Sequence, residues 1–201
     1  VYAPDSLPAI TEHWSPYLDL SDQVDGQVQA RYPMERMLHD EGGCVRIVGL
    51  CSSLPTPVFM ASGRLGAEQL SRYAQVPSQA DVFECVLIHH PPLPGMSHWR
   101  KALHDAQALE QLWRRQPPAL VVHGHVHKNV SFEMAPSPTR VFGTASASSS
   151  DDNRPASYRI FDITRKQGGW HVAMVLKQLN LQRQLFDVVD QQDWYSDTLG
   201  P

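Results

Sequence analysis

The sequence is poor in cysteine and contains no long apolar run. Its three cysteines, Cys44, Cys51 and Cys85, are odd in number and form no Cys-x-x-Cys pair. This usage predicts reduced thiols in a cytoplasmic protein and disfavours a disulfide scaffold. No stretch reaches the roughly 18 apolar residues that a transmembrane helix needs. The first residues also lack the charged and apolar regions that mark a signal peptide.

Positive charge is scarce as well. The chain has 17 Lys and Arg residues against 21 Asp and Glu residues, which gives a formal net charge of −4. This balance provides no basic footprint for nucleic acid and disfavours binding to anionic lipid. Hydrophobic residues make up 42% of the 201 residues, enough for the core of one globular domain. We therefore expect a protein with no nucleic-acid partner and no membrane span.

Apolar and β-branched segments predict the strands of a sheet, and helical spacing of apolar residues predicts the helices between them. Strands are predicted at 44–51, 81–88, 119–122, 130–134, 140–143, 157–163 and 170–176. Helices are predicted to begin at residue 67, with Leu70 on the inner face, and to span about residues 99–115. The Gln- and Asp-rich residues 183–201 predict a C-terminal tail or helix. Residues 1–182 show no composition break and are interpreted as one domain.

Two clusters of histidine come directly after two of the predicted strands. His89-His90-Pro91-Pro92 comes after the strand at 81–88, and Gly124-His125-Val126-His127 after the strand at 119–122. One strand–loop–helix–strand unit separates the clusters, so both strands are expected side by side, with their carboxyl ends at one edge. Neutral imidazole is the commonest nitrogen ligand of Zn, Mn, Fe and Ni in proteins. Gly124 is expected to supply unusual backbone dihedrals or a close approach there.

Most single histidines are not metal ligands. We interpret four of the ten histidines as ordinary exposed or hydrogen-bonded residues: His13, His39, His104 and His171. The pairing of the two clusters is less easily attributed to chance, since either cluster alone would be only suggestive. His89, His125 and His127 are therefore the candidate metal ligands. A protein that binds a single zinc ion through these three side chains is a weaker alternative.

The paired clusters resemble the last two signature blocks of the calcineurin-like metallophosphoesterases. Three other segments are similar to that family: 45–50 to the strand before its variable loop, 63–70 to its Gly-x-Leu-x-x-Glu-Gln-Leu segment, and 142–148 to its late small-residue strand. The resemblance covers roughly residues 1–180, as the C-terminal portion of such a domain. It implies an α/β fold in which two mixed β-sheets form a sandwich flanked by helices. It also implies two divalent metal ions (Mn, Fe, Zn or Ni) in the intact protein.

The first three blocks of that family, Asp-x-His, Gly-Asp-x-x-Asp and Gly-Asn-His-Asp/Glu, do not occur in this sequence. Asp19, Asp22 and Asp25 lack the preceding glycine and are interpreted as a solvated face. Val1-Tyr2 resembles the residues directly after the third block, so we expect that about 80–100 residues precede this chain in the intact protein. The resemblance implies that His89 and His125 bind one metal and His127 the other. Without the remaining ligands, we expect the chain alone to be inactive or nearly so.

The function implied for the intact protein is hydrolysis of a phosphoester, with a diester favoured by the His-His-Pro-Pro form. His90 is then expected near the ligands or facing the substrate, and His123 in packing or in support of the ligands. His98, Trp99 and Arg100 are candidates for contact with a small-molecule phosphoester substrate. The alternative from a different class is a non-catalytic scaffold with a degenerate phosphoesterase fold. The missing N-terminal segment or a second copy of the chain are the partners that an incomplete sandwich would need.

Overall fold

The computed structural model describes the strands at 23–24 and 27–28 and residues 32–40, 43–75, 79 and 81–197. The aspartates interpreted above as a solvated face, Asp19, Asp22 and Asp25, lie outside the described residues. β1 (Gln23–Val24) and β2 (Gln27–Val28) pair as a short antiparallel hairpin. None of the helices in these ranges is long and apolar enough to span a bilayer.

A six-stranded mixed sheet carries both histidine clusters. Its strands are β3 (Met34–Asp40), β4 (Gly43–Leu50), β5 (Val82–Ile88), β6 (Leu120–His123), β7 (Val130–Met134) and β8 (Thr139–Gly143). Their order is β3-β4-β5-β6-β8-β7, in which β4, β5, β6 and β8 run parallel and the two edge strands run antiparallel. The predicted strands from Cys44 to Gly143 are therefore confirmed with small shifts in their ends, and the chain is mixed α/β.

The C-terminal part of the chain forms a three-stranded antiparallel sheet. It comes after a short hairpin of β9 (Ser150–Asp151) and β10 (Arg154–Pro155), and its strands are β11 (Ser157–Lys166), β12 (Gly169–Asn180) and β13 (Leu185–Asp197). The prediction of a tail or helix from residue 183 is wrong for 185–197. The polar composition of this segment is also compatible with a strand, because β13 lies at the sheet edge, where alternate side chains face water.

The helices are shorter than the sequence predicts. α1 spans Ala67–Ala74, a 3₁₀ turn spans Trp99–Lys101, and α2 spans Ala106–Trp113. The single helix predicted over 99–115 is wrong. Ala102 is extended, with ψ 153°, and Leu103 forms a β-bridge with Gly63. Asp105 then accepts hydrogen bonds from the backbone N–H groups of Leu65 and Gly66 at 2.8–3.1 Å. These contacts with a distant loop interrupt the helix where its own pattern would continue it.

Each face of the six-stranded sheet buries a separate apolar cluster. On one face, Val48, Val86 and Val121 pack with Tyr73 of α1 and Leu109 of α2. The other cluster combines residues of this sheet with residues of the three-stranded sheet: Phe83, Cys85, Leu120, Phe142, Trp170, Val172, Met174, Leu176 and Trp194. The expected sandwich of two mixed sheets flanked by helices is not confirmed. One sheet is mixed, the other is wholly antiparallel, and the two described helices share the first cluster.

A polar network lies within the cluster that contains Tyr73 of α1 and Leu109 of α2, which we refer to as the helix-side cluster. Arg46 of β4 forms an ion pair with Glu84 of β5, and Glu84 accepts a hydrogen bond from the Tyr73 hydroxyl at 2.6 Å. The Trp113 indole N–H donates to the same hydroxyl at 3.1 Å. Burial, together with the nearby Glu84 carboxylate, raises the pKa of Tyr73 well above its usual value. The hydroxyl therefore stays protonated and joins both helices to two central strands.

Tyr73→Phe is expected to lower the free energy of unfolding by about 1–3 kcal/mol, because it leaves a buried indole N–H and a carboxylate oxygen each short of a partner. Urea denaturation followed by circular dichroism measures the change. The matched control is Tyr195→Phe, since Tyr195 is 70% exposed, and we expect it to change stability by less than about 0.5 kcal/mol. Equal losses in the two variants would contradict the role given to the network.

Candidate functional site

The candidate site forms where β5 and β6 end. The two strands pair in parallel, with Ile88 opposite His123. The ladder continues one step further, since the Gly124 N–H donates to the His89 carbonyl at 3.1 Å. The last residues of both strands are therefore fixed side by side before the chain turns away. The prediction that this unit places the two histidine clusters at one edge of one sheet is confirmed.

His89 and His125 contact each other directly. His125 Nδ1 lies 3.1 Å from His89 Nε2, and the ring centroids are 5.0 Å apart. His125 and His127 have φ values of 68° and 51°, the left-handed region that side chains seldom occupy. Gly124 is not among the residues with positive φ, and a Cβ added to it would lie 3.8 Å from its nearest neighbours. The expectation for Gly124 was therefore wrong, because the unusual dihedrals belong to the histidines.

His90 is held from both sides of its ring. It is 5% exposed, its Nδ1 lies 2.8 Å from the Ser52 hydroxyl, and its Nε2 lies 3.0 Å from the Ala61 carbonyl. A carbonyl can only accept, so Nε2 carries the hydrogen and Nδ1 accepts from Ser52. Both nitrogens are thus occupied by protein groups. The ring lies 4.2 Å from that of His125 and joins the histidine pair to the loop 52–63.

A cavity of about 290 Å³ opens over the three rings. Its lining consists of His89, His90 and His125 on the strand side and of six loop residues opposite: Ser53, Leu54, Thr56, Met60, Ala61 and Ser62. Backbone hydrogen bonds from Ala61 to Arg100 and from Gly63 to Ala102, at 2.9 and 3.0 Å, hold this loop against the segment before α2. The cavity is therefore lined by imidazoles from the strand ends and by hydroxyl-bearing and apolar side chains from the loop.

The imidazoles of the site are biased toward their neutral form. Burial lowers the pKa of His125 to about 4, with smaller effects from His90, His89 and Lys101. Burial also lowers the pKa of His89, to which nearby His127 contributes. A neutral imidazole has one ring nitrogen with a free lone pair. At neutral pH these groups can therefore accept a hydrogen bond or a metal ion without first losing a proton.

The geometry of the pair fits part of a metal site. Two imidazole nitrogens bound at about 2.0–2.1 Å to one tetrahedral ion would lie about 3.3–3.4 Å apart, close to the separation of His89 Nε2 and His125 Nδ1. His125 Nε2 is buried and has no hydrogen-bond partner. Among the residues that the structure describes, however, no three His, Cys, Asp or Glu side chains are grouped to hold one ion. His127 is exposed and lies near enough to His89 to influence it electrostatically.

Only some of the other candidate residues line a second cavity, which has a volume of about 560 Å³. His123 and His98 line it, whereas Trp99 and Arg100 line neither cavity. The Arg100 guanidinium lies 5.1 Å above the Trp99 ring, which is 60% exposed. His123 is 3% exposed, and its Nδ1 lies 3.2 Å from the Gly124 carbonyl. The histidines of the two clusters therefore divide between the cavities: His89, His90 and His125 line the first, and His123 lines the second.

The residues that position His90 carry no local sequence signal for that role. Ser52 and Ala61 lie between the strand predicted at 44–51 and the helix predicted from residue 67, where no structure is predicted. Gly63 is buried, and a Cβ added to it would lie 2.5 Å from His90 Nδ1 and 2.7 Å from the Ser52 carbonyl. The similarity of residues 63–70 to a family segment was the only signal, and it carried no information about the contact with His90.

Gly63→Ala is expected to displace His90 or the loop and to lower the free energy of unfolding by about 1–3 kcal/mol, the usual cost of overpacking. Gly49→Ala is the matched control, because a Cβ there would meet its nearest neighbour at 3.8 Å. Urea denaturation measures both variants, and the His90 ring resonances report the displacement. An unchanged His90 environment in Gly63→Ala would contradict the tight contact.

Comparison with known proteins gives distant structural similarities. No protein-family model and no curated protein sequence matches the chain. Vps29 of Cryptosporidium parvum is 22% identical over 46% of this chain and 46% of its own, with a TM-score of 0.33. A provisionally assigned 5′-nucleotidase of Staphylococcus aureus is 11% identical over 83% and 30%, with a TM-score of 0.38. Vps29 of Entamoeba histolytica, complexed with zinc, is 12% identical over 87% and 67%, with a TM-score of 0.34.

The chain spans less than half the length of the first two of these proteins. All three TM-scores are below 0.5, so the similarities identify no function for this chain.

Proposed function

We propose that the intact protein is a metal-dependent phosphoesterase and that His89 and His125 bind one of its divalent ions. The observation that carries the proposal is the 3.1 Å approach of His89 Nε2 to His125 Nδ1 at the ends of two parallel strands. Ligands in open α/β sheets collect at the carboxyl ends of strands. The motif resemblance adds the reaction class, and the neutral bias of both rings suits metal binding.

In this proposal His127 belongs to a second metal ion, and the remaining ligands come from the upstream blocks that the resemblance implies. Two bound ions would neutralise charge on the phosphoryl oxygens and supply a hydroxide nucleophile. In the proposal, the residues of this chain bind the metal ions and hold the metal ligands in position. Ser52 and Ala61 fix the ring of His90, and His90 packs against His125. A phosphodiester is the proposed substrate, bound in the cavity beneath the loop 52–63.

Metal binding by His89 and His125 is tested by titrating the chain with Co²⁺ and following the visible absorption of the bound ion. We expect His89→Asn and His125→Asn each to weaken binding by about 10-fold or more, the scale typical even of groups that only support metal ligands. His39→Asn is the control, since His39 is exposed on the edge strand β3. Equal binding by all three variants would refute metal ligation by the pair.

The catalytic arm uses bis-p-nitrophenyl phosphate and p-nitrophenyl phosphate with added Mn²⁺. We expect little turnover from the 201-residue chain and clear turnover, faster for the diester, from a form extended upstream. A His125→Asn version of the extended form should lose it. An extended form that binds two metals but hydrolyses neither ester would favour the alternative, a non-catalytic scaffold.

A further inference from the structure

The second cavity is a positively charged pocket on a chain whose net charge is negative. Ten residues line it, and none of them is a carboxylate. Three cations, Lys101, Lys128 and Arg154, are among the lining residues, although the formal net charge of the chain is −4. We refer to this volume as the basic cavity. Such a local excess of one sign concentrates ions of the opposite sign.

The three cations are not neutralised by the protein. Within the part of the chain that the structure describes, none of Lys101, Lys128 and Arg154 forms an ion pair. Asp151 lies opposite Arg154 in the backbone register of the β9–β10 hairpin, but it does not line the cavity. All three side chains are exposed, so they pay little desolvation cost before a ligand arrives. Three cations without carboxylate partners around one concavity suit an anion.

Part of the lining is apolar. Val130 and Phe132 of β7 contribute to it, together with Met96 and Val126. The volume, about 560 Å³, lies within the 300–1,000 Å³ range of small-molecule sites. An inorganic ion would leave most of this space and all of the apolar wall unused. The lining therefore fits a molecule with an anionic group at one end and an apolar or aromatic body.

The turn after β6 separates the basic cavity from the histidine pair. His125 lines the cavity of the pair, and its neighbour Val126 lines the basic cavity. A hydrogen bond from the Val126 N–H to the Gly124 carbonyl, 2.8 Å long, closes this turn. Consecutive side chains thus face two different volumes. The basic cavity is consequently a neighbour of the proposed metal site and shares none of its lining residues.

We propose that the basic cavity binds a small organic phosphate through Lys101, Lys128 and Arg154, with its apolar body against Val130 and Phe132. Phosphate offers several acceptor oxygens that lysine and arginine bind strongly. Ser97 and His98 line the same cavity and can add hydrogen bonds. This site is independent of metal at the histidine pair, so it goes beyond the phosphoesterase function proposed above.

The test is isothermal titration of the 201-residue chain with phenyl phosphate in the presence of EDTA. We expect saturable binding that is tighter than binding of inorganic phosphate and that weakens as salt is added. Lys128→Glu and Arg154→Glu should each weaken it about 10-fold or more, as expected for loss of a charge-assisted contact. Lys166→Glu, which changes the same charge at an exposed position on β11, should bind like the parent.

The histidine variant separates this site from the metal site. His89→Asn should bind phenyl phosphate as the parent does in EDTA, whatever its metal affinity. Loss of binding in His89→Asn with retention in Lys128→Glu would place the phosphate at the histidine pair and overturn the proposal. Equal weakening by Lys166→Glu would show that binding depends only on the net charge of the chain, and it would overturn the proposal. The absence of saturable binding to the folded parent would also overturn the proposal. Circular dichroism confirms that each variant is folded.

Discussion

The parallel register of β5 and β6 is the constraint on which the candidate site depends. It sets Ile88 opposite His123 and carries one further hydrogen bond from Gly124 to the His89 carbonyl. Both strands then end side by side at one edge of the sheet, so the side chains that follow them in sequence lie close together. The register itself is fixed by burial, because a slip of either strand by one residue would move Val86 of β5 or Val121 of β6 out of the helix-side cluster.

A second layer of contacts converts this crowded edge into a cavity. The loop after β4 is held by His90 through Ser52 and Ala61, and Gly63 is the residue that lets the loop approach the ring. The same loop receives Asp105, which interrupts the helix that the sequence pattern would otherwise continue. Local helical preference is thus outweighed by bonds to residues some forty positions earlier, and the break places His98 and Lys101 at the basic cavity.

The sequence predicted the central strands well because their apolar, β-branched runs leave little choice of structure. It also predicted that the histidine clusters meet, since parallel strands joined by one crossover end at a common edge. It could not predict the interruption of the helix, the hydrogen bonds that hold the ring of His90, or the positive φ values of His125 and His127. Those depend on contacts between distant segments, which no local pattern encodes. The strand at 185–197 was missed because its polar composition reflects an exposed sheet edge.

That edge strand has a consequence for how the protein behaves in concentrated solution. β13 is long and lies outermost in its sheet, and Leu185, Val188 and Val189 are about half exposed along it. Such a strand is a template for pairing with another chain. Asp187, Asp190 and Asp193 interrupt it at regular intervals. The carboxylates whose abundance predicted a tail place negative charge along this exposed edge, and like-charge repulsion there disfavours pairing with another chain.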